Sequence, residues 1–281
     1  MSDTTLSYCG QEVRRHDNDR FLTALFAPAE LREDLFALYA FNTEIARTRE
    51  VVTEPMLGQI RLQWWRESVE GIYEGQPRRH EVVTALAAAV ERGGLSRPLL
   101  ERLVDAREAD LDDAPPKTLA CLVNYAESTS SPLVQLALQA ADARGEAAMA
   151  AGRHVGIAYS LTGILRSVPH LARAHRTRLP ADLLAKHGVS EPRLFDLKPQ
   201  ESIRELVREV AEVARSHLAE ARSRRAEVPK AALPALLPAV LAELYLDVLA
   251  KAGHDPFAPR VALAHPLRHA KLAWRSLLGR W

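Results

Sequence analysis

Three stretches carry residue types and spacings that could do chemistry. In "LYAFNTEIARTREVV", Leu38 to Val52, the residues Asn42, Glu44, Arg47, Arg49 and Glu50 interrupt an otherwise apolar helical pattern. Acids spaced i, i+4 on such a helix would share one face and could hold a metal. "DAREADLDDAPP" contains Asp105, Asp110, Asp112 and Asp113, and the last three read as D-x-D-D, which would poise a carboxylic acid to protonate an olefin. Acids at a helix C-terminus oppose the helix dipole, so this cluster reads as a solvated helix end before a Pro-Pro loop. From Arg153 to Ala181 there is no Asp or Glu, but there are Arg153, Arg166, Arg173, Arg176 and Arg178. Such guanidiniums suit a phosphate, an acidic lipid headgroup or an acidic partner surface; pairing with acids elsewhere in the fold is the equal alternative. His154, His170, His175 and His187 lack HExxH or another tight ligand spacing, so no metal site is expected from them. Ser160 and Ser167 lack the glycines of a nucleophile elbow, which gives a hydrolase no support.

The elements that would position these groups are helices. Helical periodicity dominates, and no alternating strand of useful length is evident. Pro28, Pro55, Gly75–Pro77, Gly93–Gly94, Ala114–Pro116, Pro132, Pro169, Pro180, Gly188, Pro229 and Gly253–Pro259 cut the chain into an expected ten to twelve helices of one all-α domain spanning residues 1–281. Asp17, Asn18 or Asp19 could cap one helix, and Ser96 another with Pro98 in its first turn. The first fifteen residues and His187 to Ser202 are expected to be the least ordered. Only one of Trp64 and Trp65 can point fully into a core, because neighbours on a helix lie about 100° apart.

Composition narrows the partners. With 281 residues, 47% hydrophobic and a net charge of +1, the chain is a folded protein with no overall bias toward nucleic acid. Cys9 and Cys121 have no CxxC partner, so neither a disulfide framework nor a zinc site is expected. The N-terminus lacks the apolar region of a secretory signal. "AALPALLPAVLAELYLDVLA" is broken by Pro234, Pro238, Glu243 and Asp247, and reads as a core helix rather than a span. The expected location is the cytoplasm, with peripheral contact at the inner face of a membrane as a further option. That option rests on residues 264–281, where Leu267, Ala270, Trp274, Leu277, Leu278 and Trp281 share one face of a wheel and Arg268, His269, Lys271 and Arg275 the other. Docking of this helix on its own bundle is the commoner outcome.

Taken in order, "LYAF", "LVNYAE", "VGIAYSLTGILRSV" and "RTRLP" resemble the squalene/phytoene synthase family, the head-to-head branch of the all-α isoprenoid synthases. The resemblance implies a helical bundle around a central cavity, here with Phe41, Ile45, Tyr159 and Ile164 as lining. It also implies two aspartate motifs that hold magnesium against a prenyl diphosphate. The first motif falls on Ala46, Arg47 and Glu50, and the second on Ser167, His170 and Leu171, so Glu50 alone keeps a carboxylate. Arg47 could pair with Glu50, and His170 is a poor magnesium ligand. The pattern is most similar to a non-canonical subgroup that includes an assembly factor of mitochondrial respiratory complex I and bacterial relatives. The expected function is therefore non-catalytic: assembly or scaffolding with a respiratory-complex subunit or other protein, or capture of an isoprenoid or anionic lipid. Arg47, Arg166, Arg173, Arg176 and Arg178 would make the anion contacts, with no metal or other cofactor. The alternative is an active magnesium-dependent prenyltransferase drawing its acids from Glu44, Glu50 or Glu54.

Overall fold

The computed structural model describes residues 6–52, 54–198 and 200–281. Among them the helical periodicity resolves into sixteen α-helices, three 3₁₀ turns and no strand. The chain runs through α1 (Tyr8–His16), α2 (Asn18–Ala24), α3 (Ala29–Ala46), α4 (Thr48–Val51), α5 (Pro55–Tyr73), α6 (Glu81–Gly93) and α7 (Arg97–Asp105). The long antiparallel pair α8 (Leu119–Ala140) and α9 (Glu146–Arg173) follows, then α10 (Ala181–Lys186), α11 (Glu191–Phe195) and α12 (Glu201–Ser223). The last elements are α13 (Leu233–Leu236), α14 (Pro238–Lys251), α15 (Pro259–Ala262) and α16 (Arg268–Leu277). Helices of one or two turns account for the excess over the expected ten to twelve.

Local chemistry sets most boundaries. Asp17 caps α2 by accepting from the Arg20 N–H at 3.2 Å, and Gly94 ends α6 with φ +53°, where a side chain would be strained. Two expected breaks are absent, since Pro132 and Pro169 both lie inside helices. Proline in a helix interior costs about 3 kcal/mol; both are buried, and the tertiary packing of α8 and α9 outweighs that local penalty. The N-terminal expectation also needs correction. Apart from residues 1–5, which lie outside the described residues, the first fifteen include α1, whose Cys9, Gly10 and Val13 are buried. The segment from His187 to Ser202, apart from residue 199, which lies outside the described residues, is likewise held: Leu194 is buried in α11, and Ser190 and Gln200 exchange two hydrogen bonds. Trp65 enters the core, whereas Trp64 sits at its edge against His80 and Arg78.

α9 is the axis of the bundle, with α8, α12 and α14 packed against it. Glycine makes the closest of these approaches possible. A Cβ on Gly156 would lie 2.5 Å from the Ser131 Cα and 2.6 Å from its N, and one on Gly152 would lie 2.5 Å from Leu138 Cδ1. Ser131 Oγ donates to the Arg153 carbonyl at 2.7 Å, which fixes the register of the pair. α3 fills the other side, buried nearly continuously from Asp34 to Thr43.

The 3₁₀ turn after α7 carries a buried ion cluster, so Asp110 is not the solvated helix end expected of it. Its carboxylate accepts from Arg178 Nη2 at 2.6 Å, the Tyr125 hydroxyl at 2.6 Å and Arg107 Nη1 at 3.3 Å. Burial first, and then Asp110, push the Tyr125 phenol up to about 12, so it stays protonated and donates. Asp113 pairs with Arg49 and Arg176, and Asp105 with Arg66, whereas Asp112 is exposed.

The C-terminal helix is turned the opposite way from the wheel's expectation. Its charged side faces the bundle: Arg268 reaches Asp19 at 2.8 Å, and Arg275 reaches Glu243 at 3.1 Å. Asp19 also accepts from the Tyr245 hydroxyl at 2.7 Å and lies 3.8 Å from Arg166. Leu272 and Trp281 are buried, but Leu267, Trp274, Leu277 and Leu278 face outward. No single described helix is long and apolar enough to cross a membrane; the bent pair α13–α14 passes only when joined, and its apolar side chains lie in the core.

Two pairs of substitutions test these contacts by urea unfolding. Gly156→Ala is expected to cost about 1–3 kcal/mol, because backbone and not a flexible side chain must yield. Gly163→Ala in the same helix meets nothing within 4 Å and should stabilise by about 0.5–1 kcal/mol. Asp110→Asn leaves Arg107 and Arg178 uncompensated and should cost about 3–5 kcal/mol, while Asp112→Asn should stay within about 0.5 kcal/mol. Equal effects in either pair would contradict the packing or the ion cluster.

Candidate functional site

The two motif positions converge on a cavity of about 300 Å³ between α1, α3, α8 and α9. α3 ends at Ala46, and Arg47 stands in the break before α4 restarts at Thr48. That break keeps Glu50 from sitting one turn above Ala46 on a continuous face. Ala46 and Arg47 line the cavity, together with Ser167, Ser160 and Gly163 of α9. Glu50 turns to solvent with its side chain 62% exposed and lies 3.6 Å from Arg47, so it does not face the cavity as expected. His170 is exposed, Leu171 is partly buried, and neither is a lining residue.

Cations occupy the space instead of carboxylates. Arg20 donates from Nη1 to Asp17 at 2.6 Å and lies over the Tyr159 ring at 4.7 Å. Burial opposes its charge, but Asp17 outweighs burial and holds the guanidinium above its ordinary pKa. Arg107 crosses from the 3₁₀ turn to reach the Asn42 side-chain oxygen at 3.3 Å and the Thr129 carbonyl at 3.4 Å. Arg47 Nη1 lies 3.2 Å from His16 Nε2. Asn42, Thr129, Ser130 and Tyr159 complete the polar wall.

Of the expected cavity residues, Tyr159 and Ile164 line the space. Phe41 and Ile45 are fully buried and are not lining residues; Phe41 packs edge-on against Trp65 at 5.4 Å. Of the expected anion contacts, Arg47 alone reaches the cavity. Arg166 lies over Tyr245 at 3.6 Å and donates to the Val261 carbonyl. Arg176 pairs with Asp113 and Arg178 with Asp110. Arg173 is exposed and donates to the Pro169 carbonyl. The acid-free stretch therefore finds its acids elsewhere in the fold. Arg20 and Arg107 were missed: one sits in a run read only as a helix cap, the other in the cluster read as a solvated end. The signal available was their placement beside Asp17 and Asp110.

Magnesium, which the resemblance implies, needs several oxygen ligands in near-octahedral geometry. Among the described residues no three His, Cys, Asp or Glu side chains are grouped to hold a metal. Asp17, a lining carboxylate, is bound by Arg20. The residues do not fit the ion. A larger cleft of about 870 Å³ along α5, with Ile60, Trp64 and Leu111 in its wall, contains none of the motif positions.

Residues 13–274 match the squalene/phytoene synthase family. The chain is 35% identical over 272 residues to human NADH dehydrogenase (ubiquinone) complex I, assembly factor 6, covering 96% of this chain and 82% of that protein. The Bos taurus assembly factor 6 is 34% identical over the same coverage. A dehydrosqualene synthase structure superimposes with a TM-score of 0.83 at 18% identity, over 96% of this chain and 94% of that one, which speaks for the fold alone. Matched from Val13 to Trp274 and built as the same all-α bundle, the chain belongs to the squalene/phytoene synthase family.

Proposed function

We propose that this protein works by binding rather than by prenyl transfer, as an assembly factor for an NADH dehydrogenase (ubiquinone) complex I. The observation that carries the non-catalytic half is the charge of the cavity. Ala46, Arg47 and Ser167 stand at motif positions where the family's chemistry needs carboxylates, with Arg20 and Arg107 in the same cavity wall, and arginine can stabilise a leaving diphosphate but cannot bind the metal. The assembly half is supported by likeness to assembly factor 6 over nearly the whole chain. Glu44, offered as a substitute ligand, is bound by Arg61, and Glu54 is not a lining residue.

The outward face of α16 supports work at a membrane surface. Trp274 is 63% and Leu277 83% exposed, beside exposed Leu263, Leu267 and Leu278, and no acid follows Asp255 in the sequence. An exposed apolar stripe in a region without acids lies readily in the interface of a bilayer. In this arrangement the ion pairs to Asp19 and Glu243 fasten the helix while its apolar side meets lipid.

Three measurements test the reading. Purified protein given farnesyl or geranylgeranyl diphosphate and magnesium should release no pyrophosphate above the protein-free rate; sustained magnesium-dependent release would restore the prenyltransferase alternative. Deleting the gene should lower NADH:quinone activity in membranes and the amount of assembled complex on native gels. Wild type and Glu50→Gln should both restore them, whereas an unaffected deletion strain would refute the assembly role. In flotation, the protein should rise with vesicles containing anionic phospholipid, and a Trp274→Asp/Leu277→Asp variant should remain at the bottom. Equal flotation of the two would remove α16 from the membrane reading.

A further inference from the structure

We infer that the cleft along α5 is the docking surface for a cationic amphipathic helix of a partner protein. This rests on the reading that the protein acts by binding, and it gives that reading a partner chemistry. Apart from Tyr8 and Leu25, the exposed large apolar side chains gather in two places. One is the outward face of α16 with the segment before it. The other is the start of α5, where Met56 is 68% and Ile60 61% exposed beside exposed Val51 and Leu57. An apolar cluster of this kind marks a contact surface. Ile60 and Trp64 form a crest between the cleft of about 870 Å³ and a second one of about 510 Å³, so a partner can grip it from both sides.

The walls of the cleft are held in place before any partner arrives. Gly58 is buried, and a Cβ there would collide with Leu111 Cδ2, so the glycine lets Leu111 settle against α5 as part of the lining. Trp64 is fixed at the edge by Trp65 at 4.9 Å, by His80 at 5.4 Å and by the Arg78 guanidinium at 5.4 Å. An aromatic already fixed in this way loses little freedom when a partner packs on it. The lining runs from Pro55 to Glu67, about 18 Å of helix, which gives an occupant room for about three turns. The α5 wall is helical and spends its backbone groups internally, so a strand would find no main-chain partners there. A helix that lays its side chains into the cleft is the mode that fits.

Charge selects the occupant. The lining sets Glu67, Glu108 and Asp112 against one guanidinium, Arg66. Arg66 is shared between Asp105, at 2.7 Å, and Glu108. Asp112 accepts from the Ala114 N–H at 2.9 Å and has no ion pair among the described residues, and exposed Glu54 stands at the start of α5. With Glu67 neutralised by Arg78, the rim still keeps a negative balance. An anionic bilayer repels such a rim, whereas lysines and arginines flanking an apolar stripe complement it. The acid-free outward face of α16 thus suits lipid, and the acid-rimmed face of α5 suits protein. A second copy does not supply the cations, because Arg268, Lys271 and Arg275 of α16 already pair inward with Asp19 and Glu243.

Fluorescence anisotropy with the full chain and a labelled Leu/Lys amphipathic helix tests this, with a Leu/Glu helix of the same pattern as control. The Leu/Lys helix should bind, more weakly as salt rises, and the Leu/Glu helix should bind at least about tenfold less tightly. Met56→Ser/Ile60→Ser should weaken the Leu/Lys helix about tenfold and Asp112→Lys several-fold, both at an unchanged melting temperature because these side chains are exposed. Trp274→Asp/Leu277→Asp should bind the helix like wild type, and Met56→Ser/Ile60→Ser should float with vesicles like wild type. In the deletion strain, Met56→Ser/Ile60→Ser should accumulate normally yet leave assembled complex well below the wild-type level. Equal binding of the two helices, or of wild type and the α5 variants, would overturn the assignment. So would loss of flotation in Met56→Ser/Ile60→Ser, which makes the face a lipid contact. A self-associated wild type that the same variant renders monomeric in ultracentrifugation would overturn it too, as a contact between copies. If the gene is needed for complex assembly but the α5 variant restores it fully, this inference alone fails. If the helices are discriminated as expected but the deletion strain assembles normally, the assembly reading alone fails.

Discussion

The contact between Gly156 and the backbone of Ser131 is the constraint on which the rest of the molecule depends. It sets the separation of α8 and α9 at backbone distance, closer than any side chain would permit. α8 contributes Tyr125, Thr129 and Ser130 to the cavity, and α9 contributes Tyr159, Ser160, Gly163 and Ser167. The width of that space is therefore decided by two helices whose spacing cannot relax. α12 and α14 pack on the far side of α9, so the same contact positions the elements that carry the C-terminal helix.

Around this frame the electrostatics have a consistent sense. Burying a guanidinium is costly unless a partner compensates, and each buried arginine here has one: Asp17 for Arg20, Asp110 for Arg107 and Arg178, Asp19 for Arg166 and Arg268. Positive charge thus occupies the centre, compensated by carboxylates of the fold itself. Magnesium chemistry needs the reverse arrangement, with free carboxylates facing the cavity and cations supplied from solution. The departure from the metal-dependent pattern is more than the loss of two motifs, because Arg107 and Asp110 form a structural unit next to the place where the metal would sit.

The all-α bundle and most helix ends were legible because they rest on local chemistry: the Asp17 cap, the glycine at 94, and apolar residues at helical spacing. Pro132 and Pro169 misled because their local penalty is overruled by packing across α8 and α9, which sequence periodicity does not register. The site was half legible. Ala46, Arg47 and Ser167, where the motif alignment falls, line the cavity, since they lie at the ends and faces of helices that reach it. The alignment misplaced Glu50, because the break at Arg47 rotates the next turn outward. Arg20 and Arg107 were hidden because their importance comes from partners and neighbours brought together only by the fold. The wheel of α16 set Leu267, Trp274, Leu277 and Leu278 apart from Arg268, Lys271 and Arg275, but it misplaced Trp281, which is buried, and could not say which face would dock, since that was decided by Asp19 and Glu243 on distant elements.

The knot at Asp19 has a temporal meaning. Its partners Tyr245 and Arg268 lie 226 and 249 residues later in the chain. A ribosome delivers the N-terminal helices long before either arrives, and contacts this remote must bear a large loop-closure cost before they contribute. α1 and α2 can pack on α3 early, but the corner of the bundle where α2 meets α14 and α16 closes only after Tyr245 and Arg268 have been made. Until then Asp19 and Arg166 lack the residues that complete their corner.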